Sequence, residues 1–210
     1  KYQEERDKRV RVDGNDQYQE VAGEFAYFVE DPYIANELQR DAIDEEVEVV
    51  IVGGGFGGML AAARLREVGI DDFRIIEKGG DFGGTWYWNR YPGASCDIES
   101  YVYFPLLEKT GFVPKQKYTN ASETLEYCDV IAKKYALHEG ALLQTEVAST
   151  DWDETQRRWV VSTNRQDIIK ARYVVHSNGP LNRPKLPAIK GISDFKGHTF
   201  HTSRWDYAYT

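Results

Sequence analysis

Six consecutive residues, Gly53-Gly54-Gly55-Phe56-Gly57-Gly58, have the types and spacing needed to hold a phosphate close to backbone. They follow a strand-like run, Val47 to Val52, and precede a helix-like one, Met59 to Val68. In that context Gly53 allows the tight turn out of the strand, Gly55 lets backbone approach a pyrophosphate, and Gly58 lets the helix pack against the strand. The helix N-terminus supplies N–H donors with no intrahelical acceptor and the positive end of a dipole. About 20 residues on, Glu77 closes the next apolar run, where a dinucleotide fold places the carboxylate that holds an adenosine ribose.

The elements that must position this turn are legible as periodicity. Strand, helix and strand from Val47 to Glu77 make a right-handed crossover, so the two strands are parallel neighbours. From Ser122 to Leu137, Leu125, Cys128, Ile131, Ala132 and Tyr135 share one helical face, and Asn120 stands where it caps that helix. Residues 146–152 and 158–163 alternate like strands across a polar turn, and 170–176 reads as a third strand, so a hairpin feeds back into the parallel sheet. Residues 79–105 are dense in Gly, Trp, Tyr and Pro without a helical or strand period, which suits a ligand-lining loop. The predicted fold is α/β: a Rossmann-like domain with a parallel sheet flanked by helices and a β-hairpin insertion. Residues 1–45 read as an extension wrapping the domain, with a helix from Pro32 through Asp41, residues 46–182 as the nucleotide domain, and 183–210 as a linker leaving it.

Composition narrows the class. A chain of 210 residues with net charge −8 carries no general nucleic-acid footprint and does not steer acidic substrates by its overall field. No apolar run approaches the length of about 20 residues that crosses a bilayer, and the charged start is not a signal peptide, which predicts a cytoplasmic protein. Cys96 and Cys128 have no metal or disulfide spacing and read as reduced, partly buried thiols. His198 and His201 lack a third ligand signature, so no metal is expected.

Three blocks together resemble the type I Baeyer–Villiger monooxygenases. The first is the glycine turn with Glu77; the second is the long block from Gly83-Gly84-Thr85-Trp86-Tyr87-Trp88 to Ser95-Cys96-Asp97-Ile98-Glu99-Ser100. The third, Phe195 to Asp206, fits the family fingerprint F-x-G-x-x-x-H-x-x-x-W-(P/D) through Phe195, Gly197, His201, Trp205 and Asp206. Related N- and S-oxidising flavoproteins are similar up to the histidine and usually lack the Trp-Asp or Trp-Pro ending. The segment from Tyr101 to Leu107 and the acidic extension look like the subgroup that includes polycyclic ketone monooxygenase.

The resemblance implies FAD and NADPH as cofactors, with O2 and a bulky cyclic ketone as substrates and an ester or lactone as product. It implies that Gly53, Gly55, Gly57, Gly58 and Glu77 hold the adenosine diphosphate half of FAD. Thr85, Trp86, Tyr87 and Trp88 would run along the flavin, with Tyr103 and Val147 as further contacts. Asp97 would lie near the flavin and orient an arginine that stabilises developing negative charge and polarises the carbonyl. Ser95 and Cys96 adjoin it as cofactor contacts, Ser95 standing where many members carry an arginine beside the nicotinamide. His201 and Trp205 would couple the flavin and nicotinamide domains. The family's second glycine motif lies beyond the fingerprint, so the resemblance implies an N-terminal part of a longer enzyme, inactive alone, with the NADPH domain in the remainder. Taken without their motifs, Trp86, Tyr87, Trp88 and Tyr91 read as core, Asp97 as a surface acid and His201 as a satisfied core histidine. A non-catalytic nucleotide-binding module is the reading from outside enzymology.

Overall fold

The computed structural model describes residues 1–209; Thr210, the last residue of the expected linker, lies outside the described residues. Along the chain a short helix α1 (Tyr2–Asp7) and strand β1 (Tyr18–Gln19) precede the long strand β2 (Asp44–Val52), helix α2 (Phe56–Glu67) and strand β3 (Phe73–Ile76). Three short helices follow, α3 (Thr85–Trp88), α4 (Ser100–Tyr103) and α5 (Leu107–Thr110), then the long α6 (Ala121–Lys134). Strands β4 (Ala141–Leu142), β5 (Val147–Asp153), β6 (Arg158–Thr163), β7 (Ile168–His176) and β8 (Leu186–Pro187) complete the set.

Six strands form one sheet in the order β4-β3-β2-β7-β6-β5. β2 lies parallel to β3, with Ile51 opposite Ile75, and parallel to β7, with Val52 opposite His176. The hairpin β5–β6 is antiparallel and returns through β7, as the alternation predicts. Helices α2 and α6 cover one face, where Ile51, Met59, Phe73, Ile75, Tyr127 and Ile131 make a dry core. Helix α2 starts inside the glycine run rather than at Met59, because Gly55 already has the extended cap conformation. The Asn120 side chain accepts from the Glu123 N–H at 2.9 Å and starts α6, the capping role read from sequence.

Two expectations are corrected. Residues 32–41 form turns and extended chain, not a helix. Their polar groups are drawn sideways: the Leu38 N–H donates to Gln144 Oε1 at 2.8 Å, and Arg40 forks onto both oxygens of Asp167 at 2.6 and 2.7 Å. The second is that residues 79–105 contain helical turns, α3 and α4, each four residues long. One turn is shorter than the window in which a period can be read, and α3 is set by Gly84 at φ 53°, a conformation few side chains tolerate.

Candidate functional site

Strands β2, β3 and β7 end side by side, and a cavity of about 640 Å³ opens beyond their carboxyl ends, where an open α/β sheet binds ligands. Gly53 leaves β2 at φ 104°, and a Cβ there would lie 2.8 Å from the Ser177 carbonyl oxygen. At Gly58 a Cβ would meet the Gly53 carbonyl oxygen at 1.9 Å, so turn and helix touch through bare backbone. Gly55 faces Gly84 across the cavity floor, where a Cβ on Gly84 would reach Gly55 Cα at 2.7 Å. Gly53, Gly55 and Gly57 line the cavity, while Gly58 packs behind them.

Glu77 is buried, and its two oxygens accept from the Gly54 N–H at 2.6 Å and the Gly79 N–H at 2.7 Å. Burial pushes this carboxyl up, against the two backbone donors that hold it down. The carboxylate thus locks the glycine turn to the end of β3, and its remaining lone pairs are what it can offer a ligand. Lys78 lines the cavity beside it with its ammonium 5.4 Å from the Trp88 ring, and desolvation pushes it down.

The aromatic block supplies a wall. Trp86 Nε1 donates to the Tyr103 hydroxyl at 2.9 Å, and Tyr103 stands edge-on to Phe56 at 5.5 Å. Thr85, Trp86, Trp88, Tyr103 and Val147 all line the cavity. Tyr87 turns the other way: its hydroxyl donates to Asp31 at 2.7 Å and accepts from the Gly80 N–H, and burial with Asp31 pushes its phenol up. Ser95, Cys96 and Asp97 do not reach this cavity. Ser95 bridges Asn120 in a β-type pair, buried Cys96 donates its N–H to the Thr119 carbonyl at 2.9 Å, and Asp97 is exposed.

The fingerprint folds onto that wall. Phe195 lays its ring over Gly197, where a Cβ would be 2.3 Å from Phe195 Cζ. His201 Nδ1 accepts from the Ser203 N–H at 3.1 Å, and burial, with Arg204 nearby, pushes the imidazole down. His198 pairs with Asp206 at 2.9 Å, and Trp205 stands edge-on to Phe200 at 4.9 Å. The residue sequence reasoning missed is Arg204, at an unspecified motif position. It is buried, with its guanidinium 3.9 Å over the Trp88 ring and Nε donating to the Glu30 carbonyl at 2.8 Å. Lys78 and Leu181, Asn182 and Arg183, which also line the cavity, were missed too; none carries a period or a motif.

Four parallel strands, β4-β3-β2-β7, with a glycine turn at their switch point define a Rossmann-type dinucleotide-binding domain. Over residues 50–210 the chain matches the model of the pyridine nucleotide-disulphide oxidoreductases, and it belongs to that family. Within it the kinship is with Baeyer–Villiger monooxygenases. One of that name from Streptomyces coelicolor is 50% identical over all of this chain and 35% of its own length. Neopentalenolactone D synthase of Streptomyces avermitilis is 53% identical, again over all of this chain and 35% of the relative. The solved polycyclic ketone monooxygenase of the fungus Thermothelomyces thermophila superposes with a TM-score of 0.89 at 39% identity, over 99% of this chain and 36% of that one. The chain spans about a third of the length of these relatives.

Proposed function

We propose that this chain is the FAD-holding part of an FAD- and NADPH-dependent Baeyer–Villiger monooxygenase acting on bulky cyclic ketones. The observation that carries it is one continuous cavity running from the glycine turn to the aromatic wall on which the fingerprint segment docks through Arg204 and Trp88. The residues fit the cofactor: the turn is lined without side chains, the first turn of α2 aims N–H donors, and Lys78 adds a cation that makes no ion pair among the described residues. Gly53, Gly55, Gly57 and Lys78 would hold FAD here, which would supply redox chemistry with NADPH as hydride donor and O2 as the source of the oxygen inserted beside a ketone carbonyl.

The chain's own residues then have three tasks. Gly53, Gly55, Gly57 and Lys78 would bind the pyrophosphate, and Glu77 would hold the turn and offer a lone pair to the ribose. Trp86, Trp88, Tyr103, Thr85 and Val147 would flank the flavin and keep water from it. Asp97, exposed outside the cavity, would orient an arginine from the remainder of the enzyme, with Ser95 and Cys96 adjoining it. On this reading residues 1–45 wrap the domain, 46–182 bind FAD, and 183–210 lead by way of His201, Trp205 and Asp206 to an NADPH domain. No helix among the described residues is long and apolar enough to cross a membrane, which suits the cytoplasmic placement of this reading.

The test is the visible absorption spectrum of the purified full-length protein, with its intact mass, followed by product analysis with a bulky cyclic ketone and a sulfide. Flavin bands and an ester or lactone formed with NADPH are expected. A colourless protein that takes up no FAD, or a flavoprotein that oxidises only the sulfide, defeats the reading.

A further inference from the structure

Residues 17–30 bond to the linker that carries the fingerprint. β1 pairs antiparallel with β8, Tyr18 opposite Pro187, and the Ala188 N–H donates to the Gln17 carbonyl at 2.8 Å. Glu24 Oε1 accepts from Ser193 Oγ at 2.6 Å, and the Tyr27 hydroxyl bonds Thr199 Oγ1 at 2.8 Å. The Glu30 carbonyl accepts from Arg204, the cation that lies on Trp88. The same segment grips the cavity wall from behind. Asp31 takes the Tyr87 hydroxyl and the Gly80 N–H, and the Arg90 guanidinium is held between the rings of Tyr33 at 4.0 Å and Tyr87 at 4.5 Å. Tyr207, just past the fingerprint, donates to the Arg90 carbonyl.

One strap of chain therefore touches both parts whose relative placement matters. We propose that residues 17–34 are the seat of the fingerprint segment: through Glu24, Tyr27, Glu30 and Asp31 they position residues 186–207 against the Trp88 wall, with Arg204 as the joint. This rests on the proposed monooxygenase reading, in which the fingerprint couples the nicotinamide half to the flavin. In that frame the strap has a functional consequence. It sets how well the hydride donor is aligned while leaving flavin binding alone, because Glu24 and Tyr27 do not line the flavin cavity.

The experiment uses the full-length holoenzyme carrying Tyr27→Phe and Glu24→Ala together. These changes remove one hydroxyl and one acceptor carboxylate from exposed positions, and the Tyr27 ring keeps its packing on Phe28 at 4.2 Å. Two readouts are taken: amide hydrogen exchange of residues 186–207 against that of β2, and the rate of flavin reduction at saturating NADPH. Loss of two hydrogen bonds should speed exchange in 186–207 by roughly three- to tenfold, with β2 unchanged. The reduction rate should fall several-fold at unchanged flavin content. Unchanged exchange in 186–207 overturns the seat, and faster exchange with an unchanged reduction rate overturns its positioning role. A parent protein that binds flavin and is not reduced by NADPH defeats the monooxygenase reading instead; the exchange readout then judges the seat by itself.

Discussion

A methyl group added at Gly58 would lie 1.9 Å from the Gly53 carbonyl oxygen and 3.3 Å from Ile51 Cγ2. Two effects oppose each other there. Alanine in a helix is favoured over glycine by about 1 kcal/mol. The overlap is with backbone that cannot rotate away, and forced overpacking of this kind costs about 1–3 kcal/mol or more. The steric term wins, so Gly58→Ala should lower the melting temperature of the full-length protein and release flavin, because the first turn of α2 must lift off the strand. Thermal unfolding followed with the flavin absorbance checks both; a raised melting temperature with full flavin content would sink the argument. The role of Gly58 was readable from its place in the motif. That of Glu77 was readable only in part: its position at the end of β3 follows from the pattern, but its two bonds to the Gly54 and Gly79 N–H groups depend on how the next turn folds.

At the scale of elements, Asp167 ties the chain entering β2 to the β6–β7 turn. Its buried carboxylate accepts from Arg40, from the Ile43 N–H at 3.0 Å and from Thr163 Oγ1 at 2.6 Å. Arg40 and the other donors hold it at about 2, below its usual 3.8. A depressed carboxyl contributes stability that is present above its unfolded value and lost as pH falls through the folded one. The window is therefore pH 4 down to 2, and the contribution at neutral pH is about 2 kcal/mol. Urea midpoints measured against pH should drop across that window in the parent and drop less in Asp167→Asn, which should also be less stable at pH 7. Equal slopes would show that other carboxylates carry the acid response. The sequence shows the long strands and both long helices because each fills at least a full period. It does not show this tie, since Arg40 and Asp167 are far apart in the chain and nothing in either neighbourhood marks a partner. The helix expected over residues 32–41 fails for the same reason, its polar groups being claimed by Gln144 and Asp167.

For the whole molecule, every member of the three hydrophobic clusters lies between Val47 and Val175, although Phe28 and Leu186 are also buried. The first 43 residues thus attach to a core that closes without them. Residues 17–30 among them hold the linker that carries the fingerprint, so removing that part should separate local from global stability. Deleting residues 1–35 keeps Leu38 and Arg40, and with them the ties to Gln144 and Asp167, while removing β1, Phe28, Glu30 and Asp31. In the full-length protein this deletion should leave the far-ultraviolet dichroism of the sheet and helices intact. Limited proteolysis should then cut within residues 186–207 at least roughly tenfold faster, the factor that about 1.4 kcal/mol of lost local stability provides. Arg204 decides the size of the effect, because without the Glu30 carbonyl its guanidinium keeps Trp88, Ser203 and the Asn182 carbonyl at 3.4 Å. Loss of the whole dichroism signal would mean instead that the extension belongs to the folding core, and that the fingerprint is held by the sheet rather than by the strap.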